Sequence, residues 1–291
     1  MEKSLTETKE KRLVALSSVF AAILLTVFKL IVGILTGSLG ILSEALHSGL
    51  DLVAAIMTFF AVKIADKPAD EEHQYGHGKV ENISALFETF LLLITCVWII
   101  YEAVNRLTSG HTDIIVNSWS FIVIATAIVV DFTRSRALMK YAKKYNSSAL
   151  EADALHFSTD ILSSFVVLLG LFGAFLGYNS IDTIAGLIVA VIVIFISYKL
   201  GKKSVDSLVD KSPANLKSKI LLLAQQMPQI HNVHNIRSRE SGSTILIDLI
   251  IEINSDLSVS EGHSIADNFE AIITKEYPNS DINIHIEPFA K

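Results

Sequence analysis

The chain has 291 residues, of which 51% are hydrophobic and only 19% are charged, and its mean hydropathy is +0.48. This composition excludes an ordinary soluble protein and indicates a membrane protein with a polar appendage. The net charge of −6, without a basic face or a known nucleic-acid-binding module, excludes nucleic acid as a partner. A single cysteine, Cys96, excludes an internal disulfide.

The chain begins with a charged tail, residues 1–12, which lacks the pattern of a cleavable signal peptide. A helix needs about 20 apolar residues to span a bilayer. Six segments meet this requirement: Leu13–Thr36, Leu39–Ala65, Val80–Leu107, Ile114–Phe132, Ala149–Leu176 and Ile181–Leu200. We therefore predict an all-α, six-helix transmembrane domain at residues 13–203, in contact with membrane lipid.

Basic residues are distributed unevenly over the connections between these segments. They occur in the tail, after the second, fourth and sixth segments, and not in the alternate connections Gly37-Ser38, Thr108–Asn117 and Gly177–Ser180. Connections rich in Lys and Arg stay on the cytoplasmic side. Both termini are therefore predicted to be cytoplasmic.

Two of the apolar segments carry a histidine four residues before an aspartate: His47 with Asp51, and His156 with Asp160. Residues four apart lie on the same face of a helix, one turn apart. Each aspartate lies about 11 or 12 residues into its segment, roughly 17 or 18 Å at the helical rise, which is near the middle of a bilayer. Two imidazoles and two carboxylates would form a four-coordinate shell for a divalent metal.

After Ser204 the composition is that of a soluble domain. We expect an amphipathic helix at Ser212–Met227, a strand at Val233–Ser238, a turn at Glu240–Ser243 and a second strand at Thr244–Ile253. A capping box of Ser258 and Glu261 predicts a helix from about Ser260 to Tyr277, followed by a strand at Asp281–Glu287. Residues 204–291 therefore form a small α+β domain with the order αββαβ.

The two His-x-x-x-Asp pairs, the loop Ala65–Asp70 and the motif Tyr75–Asn82 together resemble the cation diffusion facilitator family, and the resemblance covers nearly the whole chain. It implies a homodimeric secondary transporter of a bacterial inner (plasma) membrane, with a metallochaperone-like cytoplasmic domain. Such a protein exports Zn²⁺, or else Fe²⁺, Cd²⁺ or Co²⁺, in exchange for protons, and it is not an enzyme.

The central transport site is predicted to consist of His47, Asp51, His156 and Asp160. Nitrogen and oxygen ligands in equal number suit Zn²⁺ better than Mg²⁺ or Mn²⁺, which favour shells of oxygen alone. Ligands must be deprotonated to bind metal, and histidine titrates near neutral pH. Protons would therefore compete with the metal, which supplies a mechanism for exchange.

The resemblance implies a second metal site at Asp70, His73 and His77, in the loop between the second and third segments. A loop rich in these residue types can also simply be soluble. In the C-terminal domain the implied regulatory ligands are His234, Asp248, His263, His285 and Glu287. Asp248 would substitute for a family histidine whose position is occupied by Ile250, and the alternative is a domain that only dimerises.

Matching family positions form an ion pair near the dimer junction, which implies a pair between Lys79 and Asp210. Two exposed charges that contribute little are the alternative. Glu44 and Asp153 lie on the two metal-site helix faces, toward the outer and inner mouths, where they would steer cations. Carboxylates at solvated helix ends are the alternative. Lys29 and Asp131 also lie within apolar segments, where a charged side chain requires a partner or a cavity.

Two other classes of function stay open. A metal-sensing membrane protein would bind the same ions without transporting them. An intramembrane metallohydrolase ranks well below it, because such an enzyme commonly carries His-Glu-x-x-His and needs an open coordination position, and the chain has no such motif.

Overall fold

The structure is a computed structural model, and it describes residues 2–37, 39–109, 118–175 and 180–289. Over these residues the chain divides into two compact units. The helical unit comprises the chain up to Pro68 together with Val80–Val205, and the C-terminal unit comprises Ala69–Lys79 together with the chain from Asp206 onward. The loop at Ala69–Lys79 therefore packs with the C-terminal residues, although it connects two helices of the helical unit.

Six long helices form the first unit: α1 Glu2–Thr36, α2 Leu39–Ala65, α3 Val80–Ser109, α4 Ser118–Tyr145, α5 Ser148–Phe175 and α6 Ser180–Leu208. The bounds of α2 are those predicted. Helix α1 includes most of the charged tail, and α4 continues past Phe132 through a stretch that we had predicted to be a connection. Ser38, residues 110–117 and residues 176–179 lie outside the described residues, so parts of the predicted connections and of the fourth and fifth segments are not described.

Three stretches among the described residues are long and apolar enough to cross a membrane: Thr6–Thr36, Glu44–Ala65 and Val80–Asn105. Large apolar side chains such as Leu24, Phe90 and Phe195 are exposed on the outer faces of the helices. Exposed apolar area on this scale is typical of a surface that faces lipid. The six-helix architecture is confirmed, and the prediction that all six helices cross the bilayer stays a prediction.

Helix α5 lies at the centre of the helical unit because it contributes to two apolar clusters. One cluster joins α1, α2, α4 and α5 through residues such as Ala61, Leu138 and Phe157. The other joins α3, α5 and α6 through residues such as Leu92 and Val193. Small residues at these contacts let helix backbones approach closely, which is the main source of helix association in a bilayer.

Buried charges fix one end of the helical unit. The Lys11 ammonium forms ion pairs with Asp66, just after α2, and with Glu81 at the start of α3. The other oxygen of Glu81 accepts a hydrogen bond of 2.5 Å from the hydroxyl of Ser147, which precedes α5. Lys11 is only 4% exposed, so these carboxylates offset the cost of burying its ammonium.

The C-terminal unit has the predicted element order: α7 Leu216–Ala224, β1 Asn232–Ser241, β2 Thr244–Asn254, α8 Val259–Glu276 and β3 Ser280–Phe289. Strands β1 and β2 form an antiparallel hairpin, and β3 pairs in parallel with β2 after the α8 crossover. The predicted capping box of Ser258 and Glu261 is present at the start of α8. Helix α7 is shorter than predicted because Asn215, before its first turn, has a left-handed backbone with φ 62°.

The three-stranded sheet has one buried face and one open face. Ile247, Leu249, Ile251 and Ile253 of β2 pack against α7 and α8, with Phe269 and Ile273 in the same core. Because side chains alternate along a strand, the intervening residues Asp248, Ile250 and Glu252 lie on the opposite face. This open face carries most of the ligands predicted on the strands of the C-terminal unit.

Candidate metal centre

The central centre forms where α2 and α5 pack together in the helical unit. The i, i+4 spacing places His47 one turn from Asp51 on the same face of α2. It places His156 one turn from Asp160 on the same face of α5, as the sequence predicts. The contacts cross between the helices as well as along them. The structure brings one possible ligand atom each of His47, Asp51 and Asp160 within 4.8 Å of the others. The fourth predicted residue, His156, contacts both carboxylates but is not part of that group.

Each imidazole in this centre faces both carboxylates. The His156 Nε2 lies 3.1 Å from Asp51 Oδ1 and 3.7 Å from Asp160 Oδ2. The His47 Nε2 lies 3.7 Å from Asp160 Oδ1 and 3.9 Å from Asp51 Oδ1. In a tetrahedral Zn²⁺ shell with bonds of about 2.0 to 2.1 Å, neighbouring ligand atoms are about 3.3 Å apart. One of the four separations is close to that value and three are longer, so the side chains would have to draw together around a divalent metal.

Three of the four side chains in the centre are largely buried, and the fourth is partly exposed. The side chains of His156, Asp51 and Asp160 are 5%, 11% and 14% exposed, whereas that of His47 is 39% exposed. The buried Asp160 Oδ2 has no hydrogen-bond partner among the described atoms. A buried carboxylate oxygen without a partner is costly and is a position that a cation would stabilise. An ion would reach the centre from the side of His47.

Other ionisable groups surround the centre inside the helical unit. Glu88 of α3 is fully buried and accepts a hydrogen bond from the Thr58 hydroxyl. Asp153 of α5 accepts one of 3.1 Å from Ser18, which also accepts one of 3.0 Å from Arg134. Asp153 is 1% exposed, so it is not at a solvent-exposed mouth of the helical unit, and the alternative of a solvated helix end is wrong for this residue.

Sequence reasoning missed two of these residues. Glu88 is an acidic residue inside an apolar segment, and that signal alone marks it as a candidate for function. Arg134 was counted as a basic residue of a connection, but it is buried on α4, where it contacts Asp131 at 3.3 Å and lies 3.6 Å above the Phe157 ring. The contact explains Asp131, which needed a partner.

Lys29 also has partners, which the sequence could not identify. Its ammonium donates a hydrogen bond of 2.8 Å to Ser48 Oγ and contacts Glu44 Oε2 at 3.2 Å. Lys29 is 4% exposed, whereas the Glu44 side chain is 52% exposed. A buried ammonium is thus paired with a carboxylate that solvent reaches, one helical turn from His47.

The loop triad, Asp70, His73 and His77, lies in the C-terminal unit, and one possible ligand atom of each lies within 4.8 Å of the others. Asp70 Oδ1 accepts hydrogen bonds from the backbone N–H groups of His73 at 2.7 Å and Glu72 at 3.1 Å. The bond from His73 lowers the pKa of Asp70 below its usual value. Asp70 Oδ2, 3.3 Å from His77 Nε2, is the oxygen available to a metal.

The end of this loop is held against the β1–β2 hairpin. A side chain on Gly78 would bring its Cβ to 2.5 Å from the Ser241 carbonyl oxygen, so only glycine fits there. The Arg239 guanidinium lies 4.6 Å above the Tyr75 ring and contacts Asp210 at 3.3 Å. These contacts hold the end of the loop, and with it the loop triad, against the C-terminal unit.

Lys79 and Asp210 form an ion pair of 2.6 Å within one chain. The hydrogen bond from Lys79, with a smaller contribution from Arg239, lowers the pKa of the Asp210 carboxyl. Both side chains are partly exposed, at 34% and 44%, so the pair contributes about 0–1 kcal/mol.

The open face of the sheet gathers a different set of residues from the one predicted. His234 Nε2 lies 3.1 Å from Glu252 Oε1 and 3.6 Å from Glu287 Oε2, and His285 Nε2 lies 3.7 Å from Glu287 Oε1. Glu252 was not a predicted ligand, although its strand alternation places it beside Ile250 and opposite Glu287. The strand pairing, which the sequence leaves open, decides this contact.

The other predicted residues of the C-terminal unit lie apart from that group. His263 is on α8, on the other side of the sheet, and contacts Asp267 at 3.6 Å. Asp248 accepts a hydrogen bond of 3.4 Å from Asn283 and lines a cavity of about 950 Å³ with Ile250, Arg237 and His285. Among the described residues, one chain therefore does not assemble all five predicted ligands at one position.

Two family models match the chain. The cation efflux transmembrane domain matches residues 15–209, and the cytoplasmic domain of cation efflux proteins matches residues 213–289. The cation-efflux pump FieF of Yersinia enterocolitica is 28% identical over 281 residues, which are 95% of this chain and 92% of that protein. The magnetosome protein MamB of a Magnetospira species is 29% identical over 272 residues, which are 90% of each chain.

Solved structures also match the C-terminal region. One is the metal-bound C-terminal domain of the CzcD transporter from Thermotoga maritima, at 26% identity and a TM-score of 0.26, covering 26% of this chain and 91% of that one. The first family model alone spans more than half of the sequence. The chain therefore belongs to the cation diffusion facilitator family, with that family's cation efflux transmembrane domain followed by its cytoplasmic domain.

Proposed function

We propose that this family member exports divalent metal cations from the cytoplasm in exchange for protons, by alternating access around the central centre. The observation that carries the proposal is the gathering of His47, Asp51 and Asp160 within 4.8 Å of one another. His156 contacts both of these carboxylates and completes the set of residue types that hold Zn²⁺. Zn²⁺ is the proposed principal substrate, because equal numbers of nitrogen and oxygen ligands suit it. Fe²⁺, Cd²⁺ and Co²⁺ are the further candidates.

The exchange follows from competition for the same lone pairs. Each histidine must be neutral and each aspartate ionised to hold a metal, so protons that reach the centre displace it. His47, the most exposed of the four, is the group at which protons and solvent arrive first. His156 is enclosed between Asp51 and Asp160, so it holds the two carboxylates in position while the metal is exchanged.

The orientation follows from the basic connections, which assign both termini to the cytoplasmic face of the inner (plasma) membrane. We propose a homodimer held in part by the C-terminal domain, in agreement with the family of that domain. One chain gathers His234, Glu252, Glu287 and His285 on the open sheet face. A second chain would supply the remaining ligands of any shared metal.

A resident, regulatory Zn²⁺ fits two groups of residues in the C-terminal unit. The loop triad offers two imidazoles and a carboxylate within 4.8 Å. The sheet-face group offers His234 and His285 with two glutamates. Bound there, the metal would supply a charge-neutralising crosslink, and these side chains would hold the loop and the sheet face in a fixed arrangement.

The test is Zn²⁺ uptake into proteoliposomes that contain a metal-sensitive dye, with an imposed pH gradient. Wild-type protein should give uptake that follows the proton gradient, and Asp51→Ala should give none. Glu151→Ala is the matched control, because Glu151 is a carboxylate on α5 that pairs with Lys203 at 2.5 Å, away from the centre. Tight Zn²⁺ binding by wild-type protein without any flux would instead identify a metal sensor.

A further inference from the structure

Lys29 places a fixed positive charge next to the central centre. Its ammonium is held by Ser48 and Glu44, and Ser48 directly follows His47 in the sequence. The backbone carbonyl of Ser48 also accepts a hydrogen bond of 2.9 Å from Thr26, so the same turn of α2 is fastened to α1 at two points. The position of the charge is therefore fixed relative to the metal ligands.

The charges of this pair reach the residues of the centre. Lys29 interacts electrostatically with Asp160, and Glu44 interacts electrostatically with His47. Within a low-dielectric helical bundle such interactions are stronger than at a protein surface. A dication at the centre would experience both the repulsion of the ammonium and the attraction of the Glu44 carboxylate.

The two members of the Lys29–Glu44 pair differ in exposure, and this difference affects the release of a metal ion. Lys29 is enclosed, whereas Glu44 is half exposed on the same face as His47, which is the exposed ligand. A free carboxylate at that position would be a second binding point for a departing dication. The ammonium neutralises it.

We propose that Lys29 is a positioning residue, a built-in cation that keeps Glu44 from capturing the metal and weakens the hold of the central centre on its substrate. The inference rests on the proposed transport function and adds to it a specific control of release. It assigns a role to a charge inside an apolar helix that would otherwise only be costly.

The proposal predicts opposite effects for the two members of the pair. Lys29→Met leaves the Glu44 carboxylate uncompensated, so Zn²⁺ should bind about tenfold more tightly and the maximal flux should fall. Glu44→Gln leaves the ammonium uncompensated, so Zn²⁺ should bind about tenfold more weakly. The double variant Lys29→Met/Glu44→Gln restores the net charge, and its affinity should return to near that of wild type.

The measurements are Zn²⁺ binding isotherms of the purified full-length protein and concentration-dependent flux in proteoliposomes. Each substitution is also combined with Asp51→Ala. The Zn²⁺ binding and flux that are lost in the combined variant belong to the central centre, and only these are compared. Lys29→Arg retains the charge and should rescue both affinity and flux. Lys203→Met and Glu151→Gln break a more exposed Lys–Glu ion pair elsewhere in the helical unit and should shift neither quantity.

A purely structural role of Lys29 would weaken binding in both single variants and would not be reversed in the double variant. Shifts in the same direction, or no shift, would overturn the proposal. If Lys29→Met does not fold, Glu44→Gln still decides the matter by itself, because unchanged or tighter Zn²⁺ binding by that variant would overturn the proposal. If Asp51→Ala leaves flux unchanged, the transport site is wrong; if it abolishes flux while the paired shifts are absent, only the role of Lys29 is wrong.

Discussion

The helical unit and the C-terminal unit both collect histidines and carboxylates, but they do so differently. In the helical unit, two helices each present a His–Asp pair, and four residues meet within a buried space. In the C-terminal unit, candidate ligands lie on a loop, on an open sheet face and on α8, and most are exposed. Glu287, for example, is 42% exposed, against 14% for Asp160.

The difference has a physical cause. A pair spaced at i, i+4 on a helix is pre-arranged by the backbone, and burial makes an unpaired charge too costly to keep without a function. A sheet face holds its residues in rows that solvent can reach, so a carboxylate there is stable with or without a metal. The central centre draws all its predicted ligands from one chain, whereas the sheet face of one chain offers only part of a coordination shell.

The strongest test of this contrast is Asp160→Ala. Removal of this carboxylate leaves three of the four predicted ligands and one carboxylate for two imidazoles. Proton-driven Zn²⁺ flux should therefore fall to the level of empty liposomes, while the dimer stays folded. Flux assays and size-exclusion chromatography measure the two outcomes. Asp267→Ala, which removes an exposed carboxylate paired with His263, should leave flux unchanged, and flux by folded Asp160→Ala would contradict the assignment.

The loop triad should show an intermediate effect. His73→Ala/His77→Ala removes both imidazoles, so the amount of tightly bound Zn²⁺ should fall by about one ion per chain, since a single carboxylate does not hold the metal. Elemental analysis of purified protein gives the stoichiometry. His231→Ala is the control, because its ring stacks on Phe289 away from the triad. An unchanged stoichiometry would remove this site.

A smaller effect is expected for Glu252, which the structure adds to the sheet-face group. Glu252→Gln keeps the size of the side chain but removes the charge 3.1 Å from His234, so metal affinity at the sheet face should fall about tenfold. Isothermal titration of the full-length protein measures it, with Glu270→Gln on α8 as the matched substitution. Equal affinities for Glu252→Gln and wild type would exclude Glu252.

The smallest effect concerns the exposed pair of Lys79 and Asp210. Because the pKa of Asp210 is lowered in the folded protein, the pair stabilises it at pH values above the unfolded pKa, and this contribution is lost as the pH falls through the folded pKa. Lys79→Ala should cost about 0–1 kcal/mol at neutral pH and less in acid. Thermal unfolding at two pH values measures it, and a cost that grew in acid would contradict this account.

Much of the architecture was accessible from the sequence, because hydrophobic length and capping signals are local. The limits of α2, the αββαβ order and the meeting of His47 and Asp51 with Asp160 follow from spacing and depth. The burial of Arg134, the pairing of Lys29 with Glu44 and the contact of His234 with Glu252 do not. Each depends on which neighbouring helix or strand packs against the residue, and that choice is made by the whole fold.

The tight contact of Gly78 with the hairpin at Ser241 and Gly242 has a consequence for how this protein can be taken apart. The chain passes between the two units after Pro68, after Lys79 and after Val205. A fragment that stops before Asp206 would lack the hairpin residues that the loop contacts. An isolated C-terminal fragment would in turn lack Gly78, so the surface at Gly242 that the loop covers would be exposed. In chimeras between relatives, residues 69–79 should therefore be exchanged together with the C-terminal domain, although the two segments are separate in the sequence.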